Sequence, residues 1–506
     1  MQSCRVVLRE RCDPVTVFAR RRRFQLGTTA TGELGIPPLA GAARLAAVCG
    51  LFVILVGSRA FAQTTITVNT PADEFGGVGS GCSLREAIQA ANTNAAFGGC
   101  PAGSGGDTIV VPAGTYTLSI AGAGENANAS GDLDIVGFLA DLTINGSGAA
   151  TTIIDGADLD RVFHVVQGTT EISGLTIQNG SVADDSGGGI LNWSALILNN
   201  STVRDNTAIS AVFGVKGTGG GIESGGVGAQ LTLNSSTVSG NTATYSAGGV
   251  HNVGTVTLNS STLSGNTAGS HGAGLTNCCG GTATLNSSTV SGNTAGDDGG
   301  GGGIFNSGQM IISNSTVSGN TATSHVGGGI SNSGAAVLNN STLSGNTATI
   351  GGGIFTWGGG STTLKNTIVA NSSPADCSAD GGTITSAGHN LIENTSGCTI
   401  GGDTAGNITG VDPVLGPLAD NGGPTKTHAL LAGSPAIDAG STDCPPPFTD
   451  QRGVARPQGA ACDIGAYETL ETIPTVSAWG LVVLTLLLLI GAKIWFARRA
   501  TAAITA

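Results

Sequence analysis

The sequence predicts an all-β protein built as a parallel β-solenoid, and three observations support this fold class. A block close to N-S-S-T-V-S-G-N-T-A recurs down the middle of the chain. Its branched apolar residue returns about every 26 residues, the spacing of a repeat architecture. Two further apolar columns accompany it, one after Gly-Gly-Gly segments and one in the strand before the block. Each repeat is therefore predicted to form a turn of short strands that stacks on the next.

The three columns share aliphatic side chains that alternate with polar ones, so we expect them to point inward. The columns are Ile177, Val203, Val238, Leu263, Val290, Val317, Leu343 and Val369; Ile190, Ile222, Val250, Leu275, Ile304, Ile330 and Ile354; and Leu198, Leu233, Leu258, Leu285, Ile312, Leu338 and Leu364. Recurrent asparagines are predicted to form a corner ladder between turns, at Asn241, Asn266, Asn293, Asn320 and Asn346.

Composition agrees with a narrow core and limits the partners. Glycine accounts for 85 of 506 residues and charged residues for only 10%, which is too few for a solvated disordered chain. The net charge of −13 would repel phosphate backbones, so nucleic acid is not an expected partner. Acidic polysaccharides are disfavoured for the same reason.

Residues 1–62 are predicted to be a signal peptide with an atypical extension. An apolar run at 45–56 precedes Ala60-Phe61-Ala62, which has the form of a signal-peptidase site. Residues 1–40 are Arg-rich and show no pattern. Two explanations for them stay open, which are an overlong leader and a start codon assigned too early. The chain is therefore expected to be exported.

Residues 63–104 are predicted to cap the first turn of the solenoid. Ser83 is a good helix N-cap, and Glu86 three residues later completes a capping box. The string Cys82-Ser83-Leu84-Arg85-Glu86-Ala87 resembles the signature of CSLREA-domain proteins, which are secreted bacterial proteins usually joined to β-helices. The capping box predicts a short helix as the lid, and the resemblance implies no known reaction.

Residues 105–410 look like a pectin-lyase-like parallel β-helix. Short irregular strands up to about residue 170 resemble the early coils of that family, and the repeats continue the likeness. The resemblance and crossover chirality together predict a right-handed helix. About twelve coils at ~4.8 Å each would make a rod near ~58 Å long.

The C-terminal residues resemble two exported modules. Residues 411–470, with Gly433-Ser434-Pro435 and Asp450-Gln451-Arg452-Gly453, are similar to choice-of-anchor modules, which implies a cap and stalk. Residues 471–506 resemble an IPTL-CTERM sorting signal, with Ile473-Pro474-Thr475, an apolar run and a basic tip, although Val476 and Ala478 depart from the motif. This implies a transmembrane helix, a sorting enzyme as partner and an envelope location.

Eight cysteines remain after the signal peptide, and six form local sets in an exported chain. The predicted disulfides are Cys82–Cys100, Cys377–Cys398 and Cys444–Cys462. Cys278 and Cys279 are adjacent in the sequence. Their state has two alternatives, which are a disulfide between the neighbouring residues and two buried thiols. No C-x-x-C pair occurs, so a zinc site is not expected.

The candidate site residues are two aspartate pairs in equivalent corner loops. Asp184-Asp185 and Asp297-Asp298 each precede a glycine run, with no base nearby in the sequence. Solvated turns, a calcium site and a catalytic role are the alternatives for both pairs. The six histidines show no ligand spacing, so no catalytic residue or cofactor is predicted. An apolar insertion at 209–216 is either a binding loop or a tolerated insertion.

Two hypotheses for function follow. The first is a non-enzymatic, surface-anchored rod for adhesion, display or envelope structure, with a neutral glycan or another surface molecule as partner. The alternative is a carbohydrate-active β-helix enzyme, a polysaccharide lyase or glycoside hydrolase. An enzyme should place acids and a base on facing strands, where this chain has mostly Ser, Thr, Asn and Gly.

Overall fold

The repeats form a parallel β-solenoid, as the sequence predicts. The structure is a computed structural model that describes residues 63–77, 81–137, 141–211, 216–226, 228–296, 299–442, 444, 446–470 and 478–502. The predicted signal peptide at 1–62 and the sorting motif at 473–475 lie outside these residues.

Each complete turn contributes one strand to each of three long parallel sheets, which we number in the order in which their strands follow one another within a complete turn. Within the described residues, sheet 1 has ten strands. They are Leu133–Ile135, Phe163–Val165, Ile190–Asn192, Ile222–Ser224, Val250–Asn252, Leu275–Asn277, Ile304–Asn306, Ile330–Asn332, Ile354–Trp357 and Cys377–Asp380.

Sheet 2 follows sheet 1 in every turn and has thirteen strands in the described chain. They are Thr65–Thr67, Asp107–Val111, Leu142–Gly146, Thr169–Ser173, Ala195–Asn199, Gln230–Asn234, Thr255–Asn259, Thr282–Asn286, Gln309–Ser313, Ala335–Asn339, Ser361–Lys365, Thr383–Ala387 and Ile400–Asp403.

Sheet 3 comes next, with twelve described strands. They are Gly114–Thr117, Thr152–Asp155, Thr176–Gln178, Thr202–Arg204, Thr237–Ser239, Thr262–Ser264, Thr289–Ser291, Thr316–Ser318, Thr342–Ser344, Ile368–Ala370, Leu391–Ile392 and Ile408–Thr409.

A fourth parallel sheet, sheet 4, has six strands in the described chain and was not predicted. Its described strands are Ser181–Ala183, Thr207–Ile209, Thr242–Ala243, Thr267–Ala268, Thr294–Ala295 and Thr321–Ala322.

The solenoid has ten complete turns, and the prediction of about twelve was too high. A turn is complete only where it supplies strands to sheets 1, 2 and 3, and sheet 1 limits the count with ten described strands. The outermost strands of sheets 2 and 3 belong to incomplete turns at the two ends. Neighbouring strands pair in parallel without a register shift, so equivalent residues stack directly above one another.

The predicted apolar columns form the core of the rod. Every residue of the three columns is 0% exposed. In sheet 2 two inward residues per strand alternate with outward ones, as in Gln230–Asn234, because successive side chains in a strand point to opposite faces. The corner asparagines form a buried ladder in which each side-chain amide donates to the next side-chain carbonyl at 2.9–3.0 Å, from Asn206 to Asn346.

A helix closes the N-terminal end of the rod. Helix α1 spans Leu84–Thr93 with the predicted capping box between Ser83 and Glu86. Leu84 and Ile88 join the solenoid core. Arg85 is wholly buried and donates to the carbonyl oxygens of Gly131 and Asp132 at 2.8 Å. The cap is thus fixed to the first turns by polar as well as apolar contacts.

Residues 411–470, here the C-terminal segment, fold back along the outer face of sheet 3. The segment contains one antiparallel hairpin, Leu415–Ala419 with Thr427–Leu430. Its Lys426 carbonyl accepts from Thr289 at 2.7 Å, and its Ala466 amide donates to Thr342 at 3.0 Å. The segment therefore covers one side of the rod, where its polar groups pair with outward hydroxyls of sheet 3.

Helix α2 spans Ala478–Ala502. The sequence predicts a transmembrane helix here, but in the part of the chain that the structure describes no helix is both long and apolar enough to cross a membrane.

Candidate functional site

One outward position of sheet 1 carries four ionisable side chains, which are Asp134, His164, Glu223 and His251. This position is the middle residue of most strands, and parallel pairing stacks it into a column. The column consists of Asp134, His164, Leu191, Glu223, His251, Thr276, Phe305, Ser331, Phe355 and Ser378.

The column is shielded from solvent although its side chains point away from the core. Glu223 is 7% exposed and Phe305 3%. The loops that lead into sheet 1 fold over it: Thr218 donates to the Glu223 carboxylate at 2.7 Å, and Ser246 hydrogen-bonds Thr276 at 2.9 Å. Ionisable groups therefore meet one another here at low solvent exposure, which is the setting in which their chemistry changes most.

The first cluster on this column is a network of aspartates and bases near the N-terminal cap. His164 Nδ1 lies 3.0 Å from Asp134 Oδ1. Arg161 bridges two carboxylates, with Nε 2.8 Å from Asp132 Oδ2 and Nη2 2.6 Å from Asp185 Oδ2. Asp132 is buried, and its desolvation, reinforced by the charge of Asp134, raises its pKa to about 8 despite Arg161.

The structure corrects the view that Asp184-Asp185 has no base nearby. Burial alone would raise the pKa of Asp185, but hydrogen bonding and charge from Arg161, together with Lys216, hold it below the ordinary value. Lys216 Nζ is 3.3 Å from the Asp185 carboxylate, and Asp184 accepts from the Ala211 amide at 3.0 Å. Residues 209–211 and 216 of the insertion therefore bind this corner, while 212–215 lie outside the described residues.

The cluster has the composition of a metal site but fits an ion-pair network better. Asp132, Asp134 and His164 offer ligand atoms within 4.8 Å of one another. However, the Asp134 carboxylate also accepts from the Asn128 amide at 3.0 Å, and Asp132 faces the Arg161 guanidinium. A cation would have to displace that guanidinium, so the present contacts favour charge balance by protein groups.

The second cluster joins Glu223, His251 and Cys278 on successive turns. Glu223 Oε1 is 2.9 Å from His251 Nδ1. His251 Nε2 is 3.5 Å from Cys278 Sγ, and the Cys279 sulfur lies 3.2 Å beyond. A carboxylate that orients a histidine toward a thiol is the arrangement in which histidine can take the thiol proton.

The predicted site residues divide into three groups. Asp184 and Asp185 occupy a corner loop, as described above, whereas Asp297 and Asp298 lie outside the described residues. Disulfides join the proposed cysteine pairs, which are Cys82–Cys100, Cys377–Cys398 and Cys444–Cys462. Of the two adjacent cysteines, Cys278 is buried and Cys279 exposed, so the alternative of two buried thiols does not hold.

Sequence reasoning missed the two histidine clusters because it searched for short linear spacing. His164 meets Asp134 across 30 residues, and His251 meets Glu223 across 28. Both separations are close to the length of one turn. The repeat therefore already contained the information that these residues stack on neighbouring turns. Each sheet 1 strand opens on an apolar residue of the predicted column. Stacking the residues that directly follow these column residues places Glu223 beside His251.

Comparisons with known proteins add a likeness of fold. No protein-family model matches the chain, and no curated protein matches it. A solved structure, the crystal structure of pectate lyase Pel9A, is similar with a TM-score of 0.46 and 15% sequence identity. The similarity covers 81% of this chain and 97% of that one. The assignment as a parallel β-helix rests on the strand pairing described above.

Proposed function

We propose that this chain is an exported β-helix protein that serves as a non-enzymatic binding or display surface at the cell envelope. The observation that carries this proposal is the outer face of sheet 2. In three successive turns its outward residues are uncharged and polar, with Gln230 and Thr232 followed by Thr255 and Thr257 and then by Thr282 and Thr284. Repetition suits a ligand that is itself repetitive.

A row of side-chain amides that hydrogen-bond to one another also supports a binding surface on sheet 2. Asn234, Asn259 and Asn286 occupy the last position of successive sheet 2 strands and donate from side chain to side chain at 2.8–3.0 Å, beginning with Asn234 to Asn199. Amides and hydroxyls can pair with the hydroxyls of a neutral glycan, while the net charge of −13 disfavours acidic ones. A neutral glycan is therefore the proposed ligand class.

A glycan array with the full chain tests the proposal. Thr257→Lys with Thr284→Lys should abolish binding of neutral glycans, because long cationic side chains would replace two of the hydroxyls proposed to contact the ligand. The matched control is Thr267→Lys with Thr294→Lys, which changes the same residue type on sheet 4 of the same two turns. Equal binding by both double variants would contradict the proposed surface.

An activity assay on the same protein tests the enzyme alternative. Incubation with pectin-like and neutral polysaccharides should release neither unsaturated uronides nor new reducing ends. Release that Asp184→Asn with Asp185→Asn abolishes would replace the binding proposal with a catalytic one. The corresponding assay on Asp297→Asn with Asp298→Asn covers the second predicted pair.

Attachment at the envelope through the C-terminal tail is part of the proposal. Deletion of residues 473–506 should release the chain into the medium, because the tail resembles a sorting signal. Fractionation of cells that express the full and the shortened chain measures this. Retention of the shortened chain by the cells would show that attachment lies elsewhere.

A further inference from the structure

We propose that Cys278 and Cys279, together with His251 and Glu223, form a thiol–disulfide exchange site for small-molecule disulfides. This activity is separate from the proposed glycan surface, which lies on sheet 2, and does not depend on it. The site lies at the end of the sheet 1 strand Leu275–Asn277, in the second cluster described above.

The backbone presents the two cysteines differently. Cys278 is 7% exposed and packs toward His251, whereas Cys279 is exposed. Cys279 has a φ of 56°, and the Gly281 amide closes the turn by donating to the Cys278 carbonyl at 2.8 Å. The turn therefore holds one sulfur at the surface and the other beneath it, with 3.2 Å between them.

Glu223 and His251 give the buried sulfur a route for its proton. The Glu223 carboxylate lies 2.9 Å from His251 Nδ1 and is itself fixed by Thr218 at 2.7 Å. When Nδ1 carries the proton that this carboxylate accepts, Nε2 is left as an acceptor. That nitrogen is 3.5 Å from Cys278 Sγ, so the thiol can transfer its proton to the ring and become a thiolate.

The exchange then takes two steps with a disulfide R–S–S–R as the oxidant. In the first, the Cys279 thiol loses its proton to solvent and attacks one sulfur of R–S–S–R. A mixed disulfide forms at Cys279, and RS⁻ leaves and is protonated by water. In the second, Cys278 passes its proton to His251 Nε2, and its thiolate attacks Cys279 Sγ. The bond to R breaks, RS⁻ takes the proton from His251, and a Cys278–Cys279 disulfide remains.

The test follows both steps by peptide mapping of the full chain. The protein is mildly reduced, mapping verifies that the three predicted disulfides persist, and glutathione disulfide is added before acid quenching at a series of times. The wild type should show a transient glutathione adduct at Cys279 that converts to the Cys278–Cys279 bridge. Cys278→Ser should retain the adduct.

The histidine variant isolates the proton step. His251→Asn should form the adduct at the wild-type rate and close the bridge about 100-fold more slowly, the lower range for loss of a general base. Glu223→Gln, which preserves shape, should slow closure less and shift its pH profile. The control is His325→Asn, at an exposed histidine of another loop. An unchanged rate of adduct formation at Cys279 shows in each variant that the first step is unaffected, so a slower closure reports the second step alone.

Three results would overturn the proposal. One is a wild-type Cys279 that glutathione disulfide does not modify. Another is an adduct that persists in the wild type without closing to the bridge. The third is closure in His251→Asn and Glu223→Gln at the rate of His325→Asn, since His251 would then play no part.

Discussion

Sheet 3 carries one threonine column with two different environments. Thr202, Thr237 and Thr262 occupy the same register position as Thr289, Thr316 and Thr342. The first three are half-buried and the last three are buried, at 0–2% exposure. The difference comes from the C-terminal segment, which covers only the second half of the column.

Gln451 of the C-terminal segment makes the covered half a polar interface. Its side-chain carbonyl accepts from Thr316 at 2.6 Å, and its amide donates to Thr289 at 2.9 Å and to Thr425 at 2.8 Å. Identical repeats thus acquire different surroundings from a segment that follows them in the chain. A repeat sequence specifies its own interior but not what covers its exterior.

The largest expected effect concerns the interior, where the two halves should not differ. Leu233→Asp in the uncovered half and Leu285→Asp in the covered half each bury an unpaired charge at a residue that is 0% exposed. We expect each to lower the free energy of unfolding by more than about 4 kcal/mol. Thermal melting measures this, with Ser291→Asp as the mild outward control. Equal melting of Ser291→Asp and Leu285→Asp would refute the inward assignment.

Removal of a disulfide should separate the two halves. Cys444→Ser with Cys462→Ser opens a loop of the C-terminal segment and should destabilise it by about 3 kcal/mol. Amide hydrogen exchange should then rise in Thr289–Ser291 and Thr316–Ser318 and stay unchanged in Thr237–Ser239. The control is Cys377→Ser with Cys398→Ser, which removes a disulfide in the last turns of the solenoid. It should leave hydrogen exchange in Thr289–Ser291 and Thr316–Ser318 unchanged. A uniform rise would mean that the cover and the rod unfold together.

Single hydroxyls offer a finer test of the comparison. Thr316→Val removes the hydroxyl that donates to the buried Gln451 carbonyl and should cost about 1–3 kcal/mol. Thr237→Val at the same register position of the uncovered half should change stability by no more than about 0.5 kcal/mol. Urea unfolding midpoints of the two variants provide the comparison. Similar midpoints would indicate that the cover contributes little to stability.

Acid should weaken the covered half selectively. Burial lowers the pKa of His428 below 6.5, and this residue contacts Ser318 of sheet 3 at 2.8 Å. As the pH falls below about 6.5, the unfolded state gains a proton that the folded state resists. Stability is therefore lost on acidification, by at most about 1.4 kcal/mol per pH unit.

His428→Gln should remove this acid dependence, whereas His325→Gln at an exposed position should retain it. Unfolding measured between pH 7 and pH 5 distinguishes them. An unchanged pH slope in His428→Gln would assign the acid sensitivity to another group.

The interior of the rod was predictable because each column repeats the same physical requirement. A side chain such as Val238 must fill the space between Val203 and Leu263, so the pattern of the sequence records its burial. The capping box at Ser83 and Glu86 was equally local. Both features can be predicted because each depends only on residues at a fixed and known spacing in the sequence.

The candidate sites and the cover depend on contacts that the repeat does not encode. Glu223, His251 and Cys278 differ from the usual residues of their repeats, and only the stacking of three turns brings them together. Gln451 meets Ser288 across 163 residues, with no periodicity to indicate the pairing. Burial of Arg85 likewise depends on the distant loop that ends at Asp132.

The C-terminal segment also determines how a pulling force would enter the molecule. It leaves the rod beside Thr342, three sheet 3 strands before the end of the solenoid, a distance of ~14 Å at ~4.8 Å per turn. A tether attached after this point would hold the rod by its flank. Tension would then peel the segment from sheet 3 one contact at a time, so the load would fall on the contact at the peeling edge and not on all the contacts together.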